Sequence, residues 1–124
     1  ASPHRLIQML MDGALEKINL ARGHTAQGNI MEKGASIRWA VSIIDGLRAS
    51  LDMQAGELAE NLDGLYDYMT RRLTEANAKN DVRMLEEVGV LLRQIKEAWD
   101  AIGEGMGEHA NAKDGEQGGI AAGV

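Results

Sequence analysis

Residues 81–102 read DVRMLEEVGVLLRQIKEAWDAI, and this stretch decides the fold class. Its apolar side chains recur at alternating steps of three and four residues, the repeat of a helix face that packs against other helices. The main row is Leu85, Val88, Leu92, Ile95, Trp99 and Ile102, and a second row of Met84, Leu91 and Ala98 flanks it. Asp81 precedes the pattern, where its carboxylate can cap the first turn. We therefore predict a helix over residues 82–102.

Three earlier segments have the same helical periodicity. Ser2 followed by Pro3 is a typical helix start, and the spacing predicts helices over residues 3–27, 30–54 and 57–79. Gly28 suits a left-handed C-cap, and Asn29 with Glu32 has the spacing of a variant capping box. Loops of a few residues between helices of about 20 residues favour antiparallel neighbours. The sequence thus predicts an all-α fold, an antiparallel up-and-down four-helix bundle.

The composition changes after residue 102. Residues 103–124 hold seven of the 15 glycines and lack helical periodicity, so we predict a flexible Gly-rich C-terminal tail. A chain of 124 residues suits one hydrophobic core. The domain organisation predicted is therefore one bundle over residues 1–102 followed by the tail.

Charge and composition narrow the range of partners. The formal net charge is −6, so the chain as a whole repels nucleic acid, and no nucleic-acid partner is expected. No stretch approaches the roughly 20 apolar residues that span a bilayer, so we expect no membrane insertion. The sequence has no cysteine and opens without a secretory signal, which favours a cytoplasmic location.

Candidate catalytic or metal-ligating groups do not converge in the sequence. The histidines His4, His24 and His109 form neither a histidine pair nor a Glu-x-x-His motif within the helices. Nearly all carboxylates fall on polar helix faces, where they are solvated. We therefore expect no metal, no cofactor and no enzymatic activity. An unrecognised hydrolase or cofactor protein would need polar groups enclosed in a pocket, and the sequence places none.

The apolar faces are wide, and aromatic residues lie beside them. The third helix carries the row Leu58, Leu62, Leu65, Met69, Leu73 and Ala76. Consecutive helix positions point about 100° apart, so we predict that Leu65 and Met69 face the core while Tyr66 and Tyr68 lie to either side. On the second helix, Trp39 lies off the apolar stripe of Ile37, Val41 and Ile44. Surplus apolar surface of this kind is typical of a protein that binds another protein.

Four sequence blocks cover nearly the whole predicted bundle. They are SPHRLIQMLMDGALEKI at residues 2–18, IIDGLRASLD at residues 43–52, ELAENLDGLYDYMTRRLTEAN at residues 57–77 and LEEVGVLLRQIKEAW at residues 85–99. Together and in this order they resemble the FliS family of flagellar export chaperones.

The resemblance implies a function and a set of partners. A family member is expected to bind the C-terminal segment of newly made flagellin, to prevent its premature polymerisation and to deliver it to the flagellar type III export apparatus. The guest's amphipathic helices then occupy apolar surfaces on the outside of the bundle. Export-gate components and a co-chaperone are candidate further partners.

We predict a guest-binding groove from the wide apolar faces, and several of its residues could instead be core. The predicted residues are Ile43, Leu47, Leu51, Leu62, Tyr66, Met69, Leu73, Leu91, Ile95 and Ala98. The alternative is a structural or adaptor bundle that self-associates through the same faces.

Three features depart from the family pattern. Met11 stands where the family usually has tyrosine, and the family's tyrosine-containing N-terminal segment, which can cover a groove, has no counterpart from Ala1 onward. The Gly-rich segment after Ile102 also lies outside the shared pattern.

Overall fold

The computed structural model describes the backbone of residues 2–112 and the side chains of residues 2–103. The chain forms α1 (Pro3–Gln27), α2 (Ile30–Ala49), α3 (Glu57–Lys79) and α4 (Val82–Ala112), and no strand occurs in this part of the chain. Both α1 and α3 pack against α2 and α4, so the helices form a ring of antiparallel neighbours. The predicted all-α four-helix bundle is confirmed.

Local side-chain chemistry starts and ends the helices. Ser2 Oγ accepts the Arg5 amide at 3.1 Å at the start of α1, and Gly28 ends that helix in the left-handed conformation with φ +76°. Asp81 Oδ1 accepts the Met84 amide at 3.2 Å and caps α4. The capping box predicted at Asn29 is absent: its side chain accepts no backbone amide of α2, and its Nδ2 donates to Gln27 Oε1 at 3.1 Å.

Helix α2 ends at Ala49, earlier than the predicted end at residue 54. Ser50 Oγ donates to a carbonyl of the preceding turn at 2.7 Å, and Asp52 Oδ1 accepts an amide at 3.0 Å to open a 3₁₀ turn at Met53–Ala55. Gly56 then turns the chain with φ +93°, which favours glycine. Serine and aspartate thus compete with the helical hydrogen bonds, an effect that apolar periodicity does not reveal.

Helix α4 continues to Ala112, beyond its predicted end at Ile102. Glycine costs roughly 1 kcal/mol in a helix relative to alanine but keeps both backbone hydrogen-bonding groups, so a glycine-rich segment without proline can extend a helix. The backbone of residues 103–112 is thus helical, and the flexibility of the tail remains a prediction. Residues 113–124 of that tail lie outside the described residues.

All four helices contribute to one core. The largest fully buried side chains are Tyr66, Met11, Ile18, Ile37, Ile44, Leu47, Met69, Leu73, Leu85, Leu92 and Val88. Lys33 is the one charged residue buried in the described part of the chain, and its ammonium donates to Asn77 O at 2.7 Å and to Asn80 Oδ1. A cation at the C-terminal end of α3 complements the helix dipole, so Lys33 ties α2 to α3.

Helix α3 is rotated so that Leu58 and Leu65 of its predicted apolar row are exposed, while Met69 and Leu73 of the same row stay buried. Tyr66 is fully buried and Leu65 is 37% exposed, the reverse of the prediction for these two residues. On the α2 side, Arg48 binds Asp63 at 2.6 Å and Asp67 at 3.1 Å, and the hydrogen bond from Arg48 lowers the pKa of Asp63. Turning the leucines inward would carry both carboxylates away from Arg48, so these contacts favour the observed rotation.

The buried Tyr66 hydroxyl has no hydrogen-bond partner, so its removal should stabilise the fold. We expect Tyr66→Phe to raise the free energy of unfolding by about 1 kcal/mol near neutral pH, because an unsatisfied buried hydroxyl is destabilising. Urea unfolding followed by circular dichroism measures this difference. A decrease in stability would show that the hydroxyl makes a favourable contact.

The same variant should change the response to alkali. Burial raises the pKa of Tyr66 to about 12, above its ordinary value of 10.0. The folded chain favours the neutral phenol. The resulting contribution to the free energy of unfolding is fully present below the pKa that Tyr66 has in the unfolded chain, and it is lost as the pH rises through the pKa of the folded chain. Wild type should therefore lose on the order of 2 kcal/mol more than Tyr66→Phe over that window. Equal losses in both proteins would contradict the assignment.

Candidate functional site

A groove runs along the seam between α3 and α4, which make the smallest contact of the four neighbouring helix pairs. It exists because the rotation of α3 turns Leu58, Leu62 and Leu65 toward α4 instead of the core. Its volume is about 250 Å³. The lining residues are Met11, Leu58, Leu62, Leu65, Leu91, Gln94, Ile95, Ala98, Trp99 and Ile102. Gln94 is the one polar residue among them, so the groove offers apolar contact to a partner.

The length of the groove suits a short helix. From Leu91 to Ile102, α4 advances roughly 16 Å at 1.5 Å per residue, which equals about three helical turns. A guest helix of this length would present apolar residues three and four positions apart to the two walls. Leu58 is 49% exposed at one end, so apolar surface is available without moving the bundle.

Three polar side chains close the seam beyond Leu65. The Tyr68 hydroxyl donates to Glu87 Oε2 at 2.5 Å, and Arg72 Nε donates to Glu87 Oε1 at 2.9 Å. The hydrogen bond from Tyr68 lowers the pKa of Glu87, and the same bond raises the pKa of Tyr68. These residues clasp α3 to α4 and determine where the groove ends. Tyr68 thus lies beside the core, as predicted.

Four of the predicted groove residues line this groove. Leu62 comes from α3, and Leu91, Ile95 and Ala98 come from α4. The three α4 residues are half-buried or exposed, so a partner could reach them from outside. Their assignment to guest binding remains a prediction.

The structure corrects the position of four others. Leu47, Tyr66, Met69 and Leu73 each have no more than 1% of their surface exposed and belong to the core. They face inward because the rows that contain them supply the contacts between α2, α3 and the other helices. A guest in the groove would not touch them while the bundle stays closed.

Ile43 and Leu51 lie away from the groove. Both are half-buried on the edge of the core. Ile43 faces α1, since a Cβ at Gly13 would lie 3.5 Å from Ile43 Cδ1. These two residues therefore do not belong to the groove between α3 and α4.

Six lining residues were not among those predicted for the groove. They are Met11, Leu58, Leu65, Gln94, Trp99 and Ile102. Leu58 and Leu65 lie one turn before and after Leu62 in the predicted leucine row, so this row could have indicated that they belong to the groove. Met11 is 1% exposed and lies under the groove.

The described residues hold no group of three or more His, Asp or Glu side chains placed to hold a metal ion. Over the same part of the chain, none of the helices combines the length and apolar character needed to cross a bilayer. The groove between α3 and α4 offers an apolar surface to which a partner can bind.

Comparison with known proteins identifies the family. The family model described as "Flagellar protein FliS" matches residues 1–106, which include every residue that lines the groove. The chain belongs to the FliS family. The resemblance seen in the four sequence blocks is thereby confirmed.

Several FliS relatives align with most of the chain. The flagellar secretion chaperone FliSB of Pseudomonas aeruginosa is 53% identical over 103 residues, covering 82% of this chain and 82% of the relative. The flagellar secretion chaperone FliS of Salmonella typhimurium is 51% identical over 104 residues, covering 82% and 77%. That of Vibrio cholerae is 48% identical over 103 residues, covering 82% and 76%. These FliS relatives are named chaperones rather than enzymes, in agreement with the expectation that this chain is not an enzyme.

Proposed function

We propose that this chain is a cytoplasmic export chaperone that binds the C-terminal helical segment of flagellin in the α3–α4 groove. By holding that segment it prevents premature polymerisation and delivers flagellin to the flagellar type III export apparatus. Export-gate components and a co-chaperone are further proposed partners.

One observation supports this proposal above the others. A FliS-family bundle leaves a row of leucines partly exposed along an apolar groove instead of burying it in the core. Exposed apolar surface that is contiguous and concave typically marks a binding site. Its dimensions and lack of charged lining residues suit the apolar face of a helix.

The geometry also suggests how binding would prevent polymerisation. An amphipathic segment that folds on the groove buries its apolar face against Leu62, Leu91 and Ile95, and the same face is then closed to other flagellin molecules. The segment is ordered only on binding, so part of the interaction free energy is spent on ordering. Affinity is therefore moderate for the area buried, which allows release at the export apparatus.

A calorimetric titration with the flagellin C-terminal segment tests the proposal. We expect saturable binding, a negative heat-capacity change from apolar burial and more helix in the mixture than in the two components measured separately. A peptide of the same composition in shuffled order is the control. No binding of the native-order segment, or equal binding of both peptides, would contradict the proposed function.

The molar mass of the chain, measured at several concentrations, distinguishes a chaperone from the alternative of a self-associating adaptor bundle. A self-associating adaptor bundle would form dimers or larger species through the same groove, and excess flagellin segment would not dissociate them. For a chaperone, the segment should instead form a complex that contains one bundle at every concentration.

A further inference from the structure

The first turn of α1 packs on α4 at the open end of the groove, opposite the end that Tyr68, Arg72 and Glu87 close. The His4 and Trp99 rings stack with centroids 4.4 Å apart and an angle of 13° between their planes. The indole Nε1 of Trp99 also donates to His4 O at 3.0 Å. Trp99 lines the groove and is only 5% exposed, so His4 contacts the site indirectly, through this indole.

Gly103 provides the space that the His4 ring occupies. It follows Trp99 by one helical turn, and a Cβ built on it would overlap His4 Nε2, Cδ2 and Cε1. Alanine at this position would therefore displace the ring or push α1 away from α4. Glycine disfavours a helix interior, and accommodation of the ring gives a reason for one here.

The His4 ring acts by its shape rather than by its nitrogen atoms. Both ring nitrogens are buried without a hydrogen-bond partner. What the ring supplies is a flat surface against one face of Trp99, the stacked arrangement that aromatic pairs favour. A phenyl ring could supply the same surface without the unsatisfied nitrogens.

We infer that His4 and Gly103 form a positioning pair that fixes the orientation of Trp99 and thereby sets the shape of the groove's open end for a guest helix. The inference rests on the proposed function for its guest, and on the stacking geometry for the positioning itself. His4 is a positioning residue, because it acts on the guest through Trp99.

Trp99 fluorescence and guest affinity together test this inference. The chain has two tryptophans, and Trp39 is 61% exposed, so Trp39→Phe leaves Trp99 as the single reporter in a folded protein. In that background His4→Ala should shift the Trp99 emission to longer wavelength. It should also weaken binding of the flagellin C-terminal segment about three- to tenfold, the range expected for loss of one aromatic stack.

Two further variants distinguish positioning from general destabilisation. His4→Phe should keep the wild-type emission and affinity, because the stack is restored. Gly103→Ala should reproduce the effects of His4→Ala, but should have no added effect in the His4→Ala background, because no ring is left to displace. Unchanged emission in His4→Ala, failure of His4→Phe to restore it, or additive effects of the two alanine substitutions would each overturn the inference.

The outcomes also separate this inference from the proposed function. If the Trp39→Phe protein binds no flagellin segment, the proposed function fails. The emission of Trp99 and the coupling between His4 and Gly103 still decide whether the pair positions the indole. If binding is intact but insensitive to His4→Ala while the emission shifts, the role of the pair in guest recognition is overturned.

Discussion

Ala98→Glu should lower the affinity for the flagellin segment by at least about 100-fold, corresponding to roughly 3 kcal/mol, and leave the fold intact. Ala98 is exposed in the free chain and lines the groove, so its replacement places a carboxylate against the guest's apolar face. A guest helix would remove that carboxylate from water, and apolar neighbours would not compensate the lost hydration. Calorimetry measures the affinity, and thermal unfolding checks the fold.

Ala35→Glu is the matched control for this prediction. Ala35 is also an exposed alanine on a helix, and it lies on α2, which contributes no residue to the groove lining. Both substitutions change the net charge equally, so a general electrostatic repulsion of the guest would appear in both. Near wild-type affinity is expected for Ala35→Glu. Equal losses in the two variants, or no loss in Ala98→Glu, would remove the groove from the binding site.

Met69→Asp should lower the free energy of unfolding by at least about 4 kcal/mol, enough to unfold much of a small domain. Met69 is fully buried in the core cluster. The substitution removes a large apolar side chain and buries a carboxylate among mostly apolar neighbours. Chemical unfolding in urea measures the loss, and a decrease in helical signal without denaturant would be its extreme form.

Met31→Asp provides the comparison at the surface. Met31 is 83% exposed near the start of α2, where a negative charge also suits the helix dipole. Its substitution should change the stability by no more than about 0.5 kcal/mol. A stable Met69→Asp protein that fails to bind the flagellin segment would return Met69 to the groove, as the sequence-based prediction had it.

The contrast between Ala98 and Met69 shows what the groove requires. Both were predicted to contact a guest, and both belong to apolar rows of their helices. Only Ala98 remains reachable, because the core row of α3 runs through Tyr66 and Met69 and leaves Leu62 beside it. Guest binding on this bundle therefore depends on which of two adjacent rows each helix turns inward.

The sequence by itself determined the helical class, the order of the four helices and several of their ends. These features depend on interactions within one or two turns, such as the Ser2 cap, the left-handed Gly28 and the Asp81 cap, and local chemistry of this kind is visible in the chain. The family could also be recognised from the sequence, because the four sequence blocks occur together and in the expected order. The end of α2 was missed because Ser50 and Asp52 can bond either within a helix or within a turn.

Only the tertiary structure decided how each helix is rotated, and hence which apolar residues form the groove. On α3, Leu62 and Leu65 lie beside the buried Tyr66, and apolar character alone does not show which of these residues face the core. Contacts with residues of other helices determine which of them face the core. Arg48 of α2 binds Asp63, and Tyr68 binds Glu87 of α4. Periodicity along one helix contains no information about such partners, so the sequence identified a surplus of apolar surface, and packing between helices determined where that surplus remains exposed.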